Sequence, residues 1–177
     1  MRAVLRAGLC GMLSVCGIGS GTAVAQRVTD AVRATTRNRL DSLLHEYGPT
    51  LKMRFYRNRD DPFELDGFYD NDLHHASRFE LQLNVTPQNT IGVRVYPQWY
   101  GERINVDRVR DPKGLTLQLL RFSAHNFLHW GVDDALDVFA AFTFTLESGF
   151  PDESIKIVLR SVPLVDQDVG VIGDFIE

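Results

Sequence analysis

Between Leu136 and Glu147 the chain reads Leu-Asp-Val-Phe-Ala-Ala-Phe-Thr-Phe-Thr-Leu-Glu, and every even position (Leu136, Val138, Ala140, Phe142, Phe144, Leu146) is apolar. The odd positions carry Asp137, Thr143, Thr145 and Glu147, with Phe139 and Ala141 among them. Alternation with period two makes a strand with one buried face, because successive side chains point to opposite sides of a sheet. At about 3.3 Å per residue, a run of this length crosses a small domain. It is expected to be a central antiparallel strand, with other strands as neighbours and helices over its apolar face.

The rest of the chain supplies those partners. From Arg27 to Tyr47 the apolar residues Val28, Ala31, Val32, Leu40, Leu43, Leu44 and Tyr47 recur at three and four, an amphipathic helix stopped by Gly48-Pro49. Leu51, Met53 and Phe55 then alternate with Lys52, Arg54 and Tyr56 as a first strand. Residues 58–75 are acidic and interrupted by Pro62 and Gly67, which predicts mainly a loop with at most a short strand near Phe68. Phe79, Leu81, Leu83 and Val85, then Ile91, Val93 and Val95, form two strands of a hairpin turning at Pro87-Gln88-Asn89-Thr90. Pro97 near the end of the second marks an edge strand or a bulge.

Asp111-Pro112 opens a second helix, the acid accepting from free amides and the proline occupying a position where no donor is needed. It is expected to run to Trp130 and stop at Gly131, with Leu117, Leu120, Ala124, Phe127 and Leu128 as its core stripe. After the turn Ser148-Gly149-Phe150-Pro151, Ile155, Val158, Leu159, Val162, Val165, Val169, Ile172 and Ile176 follow helical spacing, with Pro163 as a kink or break. Ile155, Ile157 and Leu159 also alternate, so a strand before Pro163 is the other reading. The fold class expected is α+β: an antiparallel sheet of four to five strands, covered by N-terminal, central and C-terminal helices, in the order α-β-β-β-α-β-α.

The N-terminus restricts compartment. Arg2 and Arg6, an uncharged stretch from Ala7 to Thr22 and the small residues Ala23 and Ala25 make a secretory signal peptide over residues 1–25, cleaved after Ala25. A retained membrane helix is disfavoured by the glycines between Gly8 and Gly21. Leu13-Ser14-Val15-Cys16 is the lesser reading, a lipoprotein box with Val15 where a small residue is required. Both cysteines, Cys10 and Cys16, lie in this segment, so the mature chain has neither thiol chemistry nor a disulfide framework. Cleavage removes Arg2 and Arg6 and leaves 17 basic against 23 acidic residues, a net charge of −6. That balance, without a Lys/Arg block, argues against nucleic acid as a partner. A single domain over residues 26–177 is long enough to bury a core without metal or disulfides.

Chemistry-bearing constellations are few. The run Asp60, Asp61, Glu64, Asp66, Asp70, Asp72, His74 and His75 matches no ligand spacing: an EF-hand register on Gly67 meets Pro62 and Leu73 at its first and twelfth positions. Neighbouring histidines on an extended chain point apart, so the segment reads as a solvated loop. His125 and His129, four apart on the second helix, share a face, but Asn126 follows His125 where a zinc protease has Glu. No nucleophile elbow or phosphate loop is present. The expectation is no catalytic residue, no metal and no cofactor. Tyr96, Trp99 and Tyr100 are the candidate partner-binding surface, with core packing as the competing reading.

The order helix, three strands, helix, long strand, C-terminal helix resembles the YbjN and type III secretion chaperone-like family. The best local match runs from Leu120 to Glu177: Asn126 in a helix ending at Trp130, Asp133 to Glu147 as a strand, then Ser148-Gly149-Phe150-Pro151-Asp152-Glu153-Ser154 opening a terminal helix. The resemblance implies a small α+β domain, often dimeric, that binds another protein chain. The signal peptide departs from the cytosolic chaperones of that family. The function expected is an exported, non-enzymatic protein-binding or chaperone-like domain, periplasmic or secreted, whose partner is another chain or a second copy. The alternative is a small exported enzyme or a ligand- or metal-binding protein that uses the acidic segment 60–75.

Overall fold

The computed structural model of the chain describes residues 28–177, so the expected signal peptide, its expected cleavage point after Ala25 and the lipoprotein reading at Cys16 fall outside the described residues. The elements are α1 (Asp30–Tyr47), β1 (Arg54–Arg57), β2 (Glu64–Tyr69), β3 (Arg78–Val85), β4 (Thr90–Trp99), β5 (Glu102–Arg103), α2 (Pro112–His125), β6 (His129–Val132), β7 (Val138–Thr145), α3 (Asp152–Ser161) and α4 (Val165–Ile176). All strand pairs are antiparallel in the order β1-β2-β3-β4-β7-β6, with β5 folded back on the end of β4. The α+β class is therefore as expected, but the sheet has seven strands rather than four or five.

Three elements account for the difference. Residues 64–69 are a full strand, not a loop, because Gly67 is placed under the Phe55 ring: a methyl group there would lie 2.5 Å from the ring. The glycine that looks like a breaker is a packing requirement of the β1–β2 pair. Second, α2 ends at His125, where Asn126 turns to extended backbone, and His129–Val132 pair with β7 as an edge strand. Third, Tyr100 and Gly101, both with positive φ (51° and 87°), form the two-residue turn that creates β5.

The sequence of alternations fixes one face. Leu65 and Tyr69, Phe79 to Val85, Ile91 to Val95, and Val138, Ala140 and Phe144 are buried at alternate positions. Registers place these side chains in rows across four strands, Leu83 beside Val93 and Leu81 beside Val95. Leu40 and Leu44 of α1, Leu115 and Leu119 of α2, Ile155 and Leu159 of α3, and Val169 and Ile172 of α4 close the same core. The run expected to be central, β7, is interior but second from the edge, between β4 and β6; the middle of the sheet is β3–β4. Its ends are shorter than expected, since Leu136 takes a positive φ of 65° and leaves the strand.

Pro97 sits inside an interior strand without disturbing the ladder. Its carbonyl accepts from Ile104 N, on the side where pairing with β7 has already stopped at Val95, so the missing N–H faces a local edge. Leu51 belongs to a tight turn over Gly48–Leu51, and β1 begins only at Arg54. Pro163 breaks α3 from α4, and the helical reading of residues 155–176 holds over the strand alternative. Asp41 of α1 is buried, accepts from Arg57 Nε at 2.8 Å and pairs with Nη2 at 2.7 Å, tying α1 to β1.

Candidate functional site

All the helices lie on one face of the sheet, which leaves the other face to polar positions of the strands. Across its middle run Glu64 and Asp66 of β2, Glu80, Gln82 and Asn84 of β3, Gly92 and Arg94 of β4, and Phe139, Ala141 and Thr143 of β7. Gly92 has no side chain in a row where its neighbours do, and nothing lies within 4 Å of where a Cβ would be. The result is a cleft of about 390 Å³ floored by Gly92 and Ala141 and walled by Glu64, Asn84, Arg94 and Phe139. A second hollow of about 160 Å³ lies beside it, between Asp66, Glu80 and Arg103.

The charges around these hollows are unevenly paired. Asn58 Nδ2 donates to Glu64 Oε1 at 3.1 Å and to Asp66 Oδ2 at 2.8 Å, holding the two carboxyls side by side. Burial pushes both up from the ordinary carboxylate range, with the Asp66 charge adding to the shift at Glu64 and the Glu80 charge to that at Asp66. Glu80, in contrast, is bound by Arg103 at 2.6 Å, and Arg103 reaches on to Asp137 at 3.5 Å. Arg94 is held by π-systems instead: its guanidinium lies 4.7 Å from the Phe139 ring centre and Nη1 donates to Tyr96 Oη at 3.4 Å. Among the described residues neither Glu64 nor Asp66 has a basic partner, and Arg94 has no acidic one.

Of the aromatic trio expected to form a binding surface, Trp99 and Tyr100 pack edge to face with ring centres 5.6 Å apart, while Tyr96 is turned away into the sheet's polar face. Tyr96 is 1% exposed, covered by the Arg103 guanidinium at 4.2 Å and packed against Phe139. Trp99 packs on Gly173 of α4 and donates Nε1 to Glu177 Oε1 at 3.0 Å. Only Tyr100, at the tip of the β4–β5 turn, is open, 82% exposed. Core packing, the competing reading, describes Tyr96, and tertiary packing also takes one side of Trp99.

The acidic segment is divided among four local tasks. Asn58 Oδ1 and Asp61 Oδ1 accept backbone amides of their own turn. Glu64 and Asp66 line the polar face, Asp70 pairs with Arg54 at 2.9 Å, and Asp72 with Lys52 at 3.1 Å. His74 and His75 bond through backbone N–H groups, with Ala76, to the Asp166 carboxylate on α4. His125 ends α2 while His129 lies in β6, so the two do not share a helix face. Among the described residues no three His, Cys, Asp or Glu side chains converge as a metal site would require.

A second surface lies on the helix layer. Of the stripe expected to be the core of α2, Leu128 is buried beyond the helix end, but the rest is outside: Leu117, Leu120 and Phe127 are 47%, 60% and 51% exposed, and Ala124 is exposed with them. The core face is instead Leu115, Leu119 and Phe122. Helix α2 is thus apolar on two sides, and periodicity alone does not say which one the sheet takes. Phe127 and Leu164 line a shallow hollow of about 210 Å³ where α2 ends against α4. Gly114 abuts Phe175 and Asn126 Nδ2 bonds Asp168 at 3.1 Å, so the two helices run antiparallel, and α4 leaves Val171 exposed as well.

No helix among the described residues is long and apolar enough to cross a membrane. Set against known proteins, the chain matches no family model, and no curated protein matches it significantly.

Proposed function

We propose that the mature chain, beginning at Gln26, is an exported, non-enzymatic protein-binding domain of chaperone-like type that takes another protein chain on the outer stripe of α2. The observation that carries this reading is the exposure of Leu117, Leu120 and Ala124 along one side of a helix already packed through its other side, with Phe127 exposed just beyond its end. Soluble surfaces rarely leave such an apolar row in water unless something covers it. Leu164 and Val171 extend the row onto the neighbouring elements. The resemblance of the sequence to the YbjN and type III secretion chaperone-like family and the signal sequence for export favour the same reading, although β6, between α2 and β7, departs from the helix–strand–helix order on which that resemblance rests.

A second copy of the chain is the first partner to test, since a helix stripe of this kind is self-complementary across a two-fold axis. Sedimentation of the purified mature chain at micromolar concentration should give a dimer, and Leu117→Glu together with Leu120→Glu should give a folded monomer. A wild-type monomer that also carries nothing with it from the native envelope would overturn the proposal. N-terminal sequencing of the same preparation should begin at Gln26; a chain starting at Met1 or at a lipid-modified Cys16 would remove the export part of it.

A further inference from the structure

On the face away from α2, three charged side chains lack what their chemistry asks for. Glu64 lines the cleft and Asp66, tied to it through the Asn58 amide, lines the neighbouring hollow, where the Arg103 charge reaches it; neither carboxyl has an ion-pair partner among the described residues. Arg94, exposed to solvent, is stacked on Phe139 and bonded to Tyr96, which orients its guanidinium but leaves most of its donors without an acceptor among the described residues. Between these two poles the glycine and alanine of the floor open the cleft of about 390 Å³.

We propose that this cleft binds a zwitterionic ligand of short-peptide size, its ammonium group against Glu64, with the Asp66 charge beside it through Asn58, and its carboxylate on Arg94. The poles stand on β2 and β4, two strand spacings apart, about 9.5 Å. An extended tripeptide spans about 10 Å between its ends, whereas a free α-amino acid holds its two charges too close together to meet both poles. Asn84 and Gln82 lie between the poles on β3, where amides can meet the peptide groups of such a ligand. A polyanion is disfavoured, because two carboxyls face one arginine. Burial has already moved the Glu64 and Asp66 carboxyls upward, and an arriving ammonium would relieve that strain on the charged form. The site is independent of the α2 stripe and of whatever covers that stripe.

Triglycine is the probe, followed by amide shifts of the full chain in solution, against N-acetyl-triglycine and triglycine amide. Triglycine should bind saturably, shifting Gly92 and Asn84, and each capped peptide should bind about tenfold more weakly, as loss of one charged contact predicts. Glu64→Gln with Asp66→Asn should erase the discrimination against the acetylated peptide while keeping that against the amide. Arg94→Gln should do the reverse, and Arg94→Lys should restore part of it. Equal binding of all three peptides, shifts confined to other surfaces, or absence of saturable triglycine binding by the wild-type chain would overturn the proposal. The capped peptides read out the wild-type protein, so the test stands even where a variant folds poorly.

Discussion

At the scale of single residues, Asp166 does the most with the least. Its carboxylate, 5% exposed on α4, accepts from His74 N at 2.7 Å, His75 N at 3.1 Å and Ala76 N at 2.8 Å, pinning the segment before β3 to the C-terminal helix. Asp166→Ala strands three amides at once and should cost about 3 kcal/mol, read by urea unfolding. Replacing both His74 and His75 with Ala should cost far less, because their contribution is through the backbone; similar losses from the two changes would show the anchor is not the carboxylate. Glu64 and Asp66 make the opposite case. Their folded-state values lie above their unfolded ones, so the stability they contribute is present at low pH and is lost as pH rises from roughly 4 through the raised folded values. Glu64→Gln should therefore raise stability at pH 7, with the gain shrinking to nothing near pH 4. A loss of stability at pH 7 would mean that a cation, unseen here, already pairs with the carboxyl.

At the scale of elements, β7 shows how far alternation carries and where it stops. Phe144 is 5% exposed on the helix side, whereas Phe142, on the same side, is only partly covered, sandwiched between Phe144 and Phe127 with ring centres 4.8 and 6.1 Å away. Phe144→Ala should cost about 3–4 kcal/mol and Phe142→Ala about half of that, with Thr143→Ala on the polar face near zero. Denaturation midpoints rank the three, and a loss at Thr143 equal to that at Phe144 would invert the faces. Helix α2 gives the complementary case. Two stripes, 115/119/122 and 117/120/124/127, satisfy the same periodicity, and the one packed on the core is chosen by Gly114 against Phe175 and by Ser123 Oγ bonding the Trp130 backbone at the free edge of β6. Those are contacts between segments, invisible to a window of one.

For the whole molecule, protection should follow position in the sheet. Amides of β3 and β4 in the pairs Leu81–Val95 and Leu83–Val93 sit between strands on both sides and beneath the helices. Hydrogen exchange should be slowest there and fastest in β1, a four-residue edge strand with Arg54 and Arg57, and in the two-residue β5. If β1 exchanged as slowly as β4, the edge would have to be covered in solution, which would point to a partner on that side rather than on α2.

The sequence by itself determined the class of the fold, the β3–β4 hairpin and the buried face of β7, because each rests on a local period or a turn residue that only one backbone geometry satisfies. Residues 155–162 satisfied helical spacing and alternation alike, and packing on the core chose the helix; Pro163 announced an interruption, which the structure makes a break between α3 and α4. Only the tertiary structure decided that Gly67 lies within a strand, that Leu117, Leu120 and Phe127 face water while Tyr96 does not, and that the chain after His125 turns into an edge strand. The same holds for the polar cleft: Glu64, Asn84, Gly92 and Arg94 look like ordinary solvent-side positions one strand at a time, with Gly92 inside a strand as the one local hint. Registers between strands far apart in sequence bring them together, and a register is set by pairing partners and by what the opposite face must bury, neither of which is written in any single segment.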